Sequence, residues 1–250
     1  MKSAALFLLV ACVLLGGDAV PQEPSRGPDA GTGHGRVPGV DVLPIANAPF
    51  SAKTTTEWTR KLEDGSTVIL RLDAFLARDS HGRVYRENHH FVPANTKDDA
   101  PMYEIHLLDP VTRTQLYCLG KAYECTLTEY KPKTHFETTP EGSYVDDTRT
   151  LTRERLGTDT IDGLSVIGTR ETWTTRPGAA GNEQPLVSTR EFWYSEELQT
   201  NLAVTRIDPL VGKQVIHLSH ISREEPDQHL WDVPIGFRVR DLRSSVQRKR

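Results

Sequence analysis

From Ser66 to Ala77 apolar side chains return at every second position: Val68, Leu70, Leu72, Ala74 and Leu76 fall on one side of an extended chain, and Thr67, Arg71 and Asp73 on the other. A helix would scatter these residues around its surface, so the segment predicts a β-strand with one buried face. Glu63-Asp64-Gly65 and Asp79-Ser80-His81-Gly82 bracket it, and Asp and Gly tolerate the left-handed backbone that tight hairpins demand. A meander over residues 50–62, 66–78 and 83–91 follows.

Comparable runs recur at 102–108, 114–119, 123–130, 148–156, 165–175, 187–194, 202–207 and 213–223, giving about eleven expected strands. Asp109-Pro110, Arg176-Pro177-Gly178 and Asp208-Pro209 with Gly212 punctuate them. No segment sustains helical periodicity, although Glu225 to Trp231, with Pro226 near its start, suits one short helical turn. The fold class is all-β, mainly antiparallel, in one domain over residues 48–240.

The N-terminus predicts export. Lys2 precedes an apolar run from Ala4 to Leu15, and Gly17 and Ala19 offer the small residues a signal peptidase needs, so residues 1–19 read as a signal peptide cleaved after Ala19. The run is shorter than the roughly 20 residues of a membrane-spanning helix, and no later run approaches that length. The mature chain is therefore expected to be secreted or periplasmic, without a transmembrane segment. A rival reading takes Leu9-Val10-Ala11-Cys12 as a lipobox, with a lipoprotein anchored at Cys12. Residues 20–47 follow as a leader rich in Pro and Gly, with few large apolar side chains to offset the entropy of ordering it. Residues 241–250 form a basic tail without interleaved aromatic residues, so it reads as solvated chain rather than a nucleic-acid arm. The net charge of −4 also gives no broad field for nucleic acid or an anionic membrane.

Cys118 and Cys125 remain after cleavage, in a chain bound for an oxidising compartment where disulfides persist. Their register decides whether they bond. If Gly120-Lys121 is a two-residue turn, Cys118 faces Tyr123 and lies only diagonal to Cys125, too far for a bridge; if residues 120–123 form a four-residue loop, the cysteines face each other.

No residue pattern specifies a reaction. His217 and His220, three apart on a strand, point to opposite faces, as do His89 and His90, so neither pair makes a metal site by itself. Ser165 lacks the two flanking glycines of a nucleophile elbow, and Asp146-Asp147 and Glu196-Glu197 sit in polar turns. No catalytic residue, metal ligand or cofactor is assigned, and the chain is read as a non-enzyme. Phe192-Trp193-Tyr194 places large rings on both faces of its strand: either one face lines an apolar cleft or the sheet curls and packs both.

Several phrases resemble a family of uncharacterised exported bacterial proteins: residues 46–52 (ANAPFSA), Leu62-Glu63-Asp64-Gly65, Arg78-Asp79-Ser80-His81-Gly82-Arg83, residues 156–163, Arg190-Glu191-Phe192-Trp193-Tyr194-Ser195, Arg206-Ile207-Asp208-Pro209, and 225–234. The order of parts is also similar to lipoprotein-carrier proteins of the LolA/RseB type. That resemblance implies a single curved sheet or half-barrel around an apolar cavity, although the helices that plug such a cavity have no counterpart here. It carries over no functional residue. The expected function is a non-catalytic binding module for an apolar ligand or an envelope protein partner. The alternatives are a structural, envelope-associated interaction protein and, third, a hydrolase whose groups meet only in the fold. A continuous apolar cavity of several hundred Å³ would favour the carrier, and a filled core would remove it.

Overall fold

The computed structural model describes residues 40–96, 100–131 and 139–243. The expected signal segment with Ala19 and Cys12, the expected leader up to residue 39 and residues 244–250 of the expected tail lie outside these.

Every expected strand is present: Phe50–Lys61 (β1), Thr67–Arg78 (β2), Val84–His89 (β3), Met102–Asp109 (β5), Thr114–Leu119 (β6), Glu124–Glu129 (β7), Arg149–Ile161 (β9), Leu164–Thr175 (β10), Leu186–Ser195 (β11), Thr200–Asp208 (β12) and Gly212–Ser222 (β13). Three more bring the number to fourteen: Val92–Pro93 (β4), Gly142–Val145 (β8) and Arg238–Asp241 (β14). β4 has only two residues, and β8 and β14 are exposed throughout, so none carries the alternation that betrays a half-buried strand.

All fourteen belong to one sheet in the order β14-β7-β6-β5-β3-β2-β1-β13-β12-β11-β10-β9-β8, with β4 beside β2. Every pairing is antiparallel except β14 with β7. The two edges, β14 and β8, do not meet, so the sheet is curved but open. Among the described residues the helical elements are two short 3₁₀ turns, Gly120–Ala122 and Gln228–Trp231, the second within the segment expected to turn.

The sheet buries two apolar clusters, and β2 belongs to both. Leu76 joins Phe50, Ala52, Val84, Leu202, Val204, Ile216 and Leu218, whereas its neighbour Ala77 joins Tyr85, Ile105, Leu107, Leu116, Cys118 and Cys125. Successive residues of a strand point to opposite faces, so the end of β2 is covered on both sides rather than on the single face expected. Its other end is open, with Val68 38% exposed.

The first cluster is sealed by residues expected to belong to the leader. Val40, Val42 and Leu43 are fully buried, so the ordered domain starts at or before residue 40 rather than at 48. Three apolar side chains within four residues give this stretch the surface to pack that the Pro/Gly-rich residues before it lack. Arg78 secures the segment from beneath. Its guanidinium is fully buried against the Phe50 ring and donates to the carbonyls of Leu43 (2.9 Å), Ala48 (2.8 Å) and Leu198 (3.1 Å). At the other end the sheet continues to Asp241, one residue into the expected tail.

Phe192 is buried in the first cluster and Trp193, half-buried, packs against the same cluster. Gly168 leaves the room: a Cβ there would lie 2.7 Å from the Trp193 ring. The curled sheet, not a cleft, accounts for this aromatic run.

Candidate functional site

The second cluster lies on β5, β6 and β7. Register aligns Leu107 with Leu116 and Leu116 with Leu127 in one row, and Ile105 with Cys118 and Cys118 with Cys125 in the next. Cys118 and Cys125 face each other across a loop of residues 120–123 and form a disulfide, so the four-residue loop is the correct register. Tyr123 closes that loop in the left-handed region at φ 48°.

A C-terminal strap crosses this face. Pro226 is buried, Asp227 caps the following turn by accepting the His229 N–H at 2.9 Å, and Leu230, Trp231 and Phe237 pack onto the cluster. The strap then runs into β14, where Val239 pairs with Cys125. It does not fill the space beneath it. A cavity of about 210 Å³ remains, walled by Leu107, Leu116, Leu127, Trp231, Val233 and Val239, with Arg83, Asp109 and Thr114 at its rim. A hollow of about 310 Å³ beside it shares Arg83 and Asp109 and adds His81, Val111 and Thr112. The indole N–H of Trp231 is buried without an acceptor among the described residues.

The rim is rigid because the β2–β3 turn is built around a buried carboxylate. Asp79 accepts the backbone N–H groups of His81 (3.0 Å) and Arg83 (2.7 Å) and the Arg83 Nε (2.6 Å). Arg83 also stacks over Trp231, 4.7 Å from the ring centroid. Glu225, at the start of the strap, accepts from Ser80 N and Oγ at 3.2 Å, tying the strap to the same turn. Donor atoms of Asp79, His81 and Glu225 lie within 4.8 Å of one another, a mixed imidazole and carboxylate set of the kind divalent cations take. Here Arg83 already neutralises Asp79 and the cluster serves as a fastening. In sequence these residues have the character of turn formers, and the histidine pairs there are His217 with His220 and His89 with His90. In the structure His217 and His220 are exposed, while His89 and His90 have separate partners: Glu87 and Ala100 for His89, the Tyr103 ring for His90. Asp146, Asp147, Glu196 and Glu197 are all exposed.

A polar chain runs along β3 towards the strap. His89 Nδ1 lies 2.6 Å from the Ala100 carbonyl and Nε2 lies 2.8 Å from Glu87 Oε1; the Tyr85 hydroxyl donates to Glu87 Oε2 at 2.5 Å, and the Tyr85 ring meets Trp231 edge-on. Both acceptors lack a proton to give, so both ring nitrogens are satisfied only in the imidazolium. Burial pulls the His89 pKa down, but the Ala100 carbonyl and Glu87 outweigh it, and the net shift is upward from 6.5. A raised folded-state pKa contributes stability that is complete below the unfolded value and is lost as pH rises through the folded one. Urea unfolding of the wild type and His89→Gln should therefore differ most in mildly acid buffer and converge as pH rises past 6.5; a gap independent of pH would rule this role out.

No protein-family model matches the chain, and no curated protein matches it. Among solved structures, the MucA/MucB complex of Pseudomonas aeruginosa is similar over 78% of this chain and 58% of that one, at 11% identity and a TM-score of 0.40. An uncharacterized conserved protein from Thermus thermophilus is similar over 78% of this chain and 90% of its own, at 9% identity and a TM-score of 0.35. A LolA superfamily protein from Nitrosomonas europaea is similar over 75% and 91% respectively, at 9% identity and a TM-score of 0.30. Likenesses of this size transfer no ligand or partner to this chain.

Proposed function

We propose that the chain is an exported, non-catalytic binding module whose cleft under the C-terminal strap accepts one apolar side chain of a protein partner. The volume of the cleft carries this reading. At about 210 Å³ this leucine- and valine-walled space falls below the roughly 300–1,000 Å³ of sites that enclose a whole small molecule, and the adjoining hollow of about 310 Å³ is lined by His81, Arg83, Asp109, Val111 and Thr112 rather than by an apolar wall. The opposite face offers no larger space where Val40, Val42 and Leu43 occupy it. A lipid taken whole does not fit the cleft, whereas a leucine-sized or phenylalanine-sized group does.

The probes are N-acetyl amino-acid amides titrated to millimolar concentration and followed by NMR. The Leu and Phe amides are expected to shift the Leu116 and Leu127 amides and the Trp231 indole resonance, the Gly amide is not, and Leu127→Trp, which fills the cleft, abolishes the response. Absence of any shift with the apolar amides, or tighter occupancy of the same residues by a lysophospholipid, would overturn the reading.

A further inference from the structure

The cleft under the strap and the hollow beside it meet at two side chains, Arg83 and Asp109. Only one of the two charges is engaged within the chain. Arg83 donates through Nε to the fully buried Asp79 at 2.6 Å, and its guanidinium lies over the Trp231 ring. Asp109 opens the β5–β6 turn, where Oδ1 accepts the N–H groups of Val111 (2.8 Å) and Thr112 (3.0 Å). Its Oδ2 meets no donor and no cation among the described residues, although the side chain is half-buried on the wall common to both spaces. Arg113, in the same turn, lines neither space.

The surroundings share this sign. Apart from His81, the charged groups at the two spaces are one cation, Arg83, and three carboxylates: Asp79, Asp109 and Glu225, the last held by Ser80 beside His81. Since Asp79 neutralises Arg83, an acidic ligand would meet two further carboxylates with no free cation to answer it. A basic ligand meets Asp109 at the boundary itself.

We propose that the segment bound at the cleft is basic as well as apolar: its leucine-sized side chain enters the cleft, and a lysine two residues away reaches through the hollow to Asp109 Oδ2. This rests on the cleft as the site for an apolar side chain and names the charge of the partner. Side chains two residues apart in an extended peptide point the same way, roughly 6.6 Å apart, which is one step from a pocket into its neighbour. The hollow, at about 310 Å³, has room for the lysine stem and head. Ammonium suits the carboxylate better than guanidinium does, because a guanidinium fork takes both oxygens and Oδ1 is occupied by two backbone N–H groups. The Trp231 ring offers no rival seat for the cation on the face that Arg83 covers.

The experiment titrates the N-acetyl amides of Leu-Gly-Lys, Leu-Gly-Gln and Leu-Gly-Glu into the protein, read by NMR at the Leu116 and Leu127 amides in low and moderate salt. The Lys peptide is expected to bind about fivefold more tightly than the Gln peptide, the difference between a charged and a neutral hydrogen bond, and the Glu peptide most weakly. The Lys advantage should shrink as salt rises. Asp109→Asn keeps an oxygen to accept the Val111 and Thr112 N–H groups and should bring the Lys peptide to the level of the Gln peptide. Glu63→Gln, in the exposed β1–β2 turn, should leave the advantage intact. If Asp109→Asn does not fold, the salt dependence of the Lys-to-Gln ratio in the wild type decides alone. Equal binding of the Lys and Gln peptides, tighter binding of the Glu peptide, or a Lys advantage that survives in Asp109→Asn would overturn this proposal and leave the apolar cleft standing. No shift with any of the three peptides would overturn both.

Discussion

Replacing Arg78 with methionine is expected to lower the unfolding free energy by about 3–5 kcal/mol, the range for removing one partner of a buried charged network. The side chain has no access to solvent, and its three donors each meet a backbone carbonyl: Leu43 in the N-terminal segment, Ala48 at the entrance to β1, and Leu198 in the β11–β12 connection. Methionine preserves much of the volume but removes all three donors: the Leu43 carbonyl keeps the Ile45 N–H, while those of Ala48 and Leu198 lose the guanidinium. Burial lowers the Arg78 pKa to about 10, with Tyr194 acting in the other direction, so the group remains a cation at neutral pH. Lysine reaches one carbonyl in place of three and should recover only part of the loss. Denaturant melts of wild type, Arg78→Met and Arg78→Lys check this; a loss under 1 kcal/mol in the methionine variant would show that the carbonyls find other donors. Because Leu43 is one of the three, proteolysis near residue 43 should accelerate in step with the destabilisation.

The strands were legible because burial on one face imposes period two, and β1 and β13 obey it where they cross the core. What was not legible depends on elements brought together from far apart. Val40 to Leu43 reads as the end of a Pro/Gly-rich leader until the open face it covers is known. Leu107, Leu116 and Leu127 are ordinary strand residues in sequence; they become the wall of a cleft only once Trp231 and Val239 cross above them. Asp79 has the chemistry of a turn former and performs that task, but its burial against Arg83 could not be read from its neighbours. The alignment of Arg153, Glu171, Arg190 and Arg206 on four neighbouring strands is the extreme case, since it arises only through successive registers. Two irregularities, at Gly168/Thr169 and at Trp193/Tyr194, stand next to those registers, and a one-residue slip at either would turn the side chains of the slipped strand to the opposite face.

Converting both Cys118 and Cys125 to alanine should cost about 2–3 kcal/mol, the chain-entropy value for a short closed loop. The sequence left two registers open for this hairpin, and the loop of residues 120–123 selects the one that bonds. Both sulfurs are fully buried under the strap, so their removal also takes packing from the second cluster. The loss should extend beyond the hairpin. Val239 pairs with Cys125, the Arg238 N–H donates to the Tyr123 carbonyl at 3.0 Å, and the strap's last hold on the sheet therefore runs through the bridged strand. Hydrogen exchange should quicken in β14 and around Trp231 as well as in β6 and β7. Reductant should bring the wild type down to a level above the double-alanine variant and leave that variant unaffected, and the gap between them measures the sulfur packing apart from the bridge. If the variant unfolds at the wild-type denaturant midpoint, or if exchange in β14 is unchanged, the bridge does not hold the floor of the cleft in place, and the cleft would owe its shape to the Asp79, Arg83 and Glu225 fastening alone.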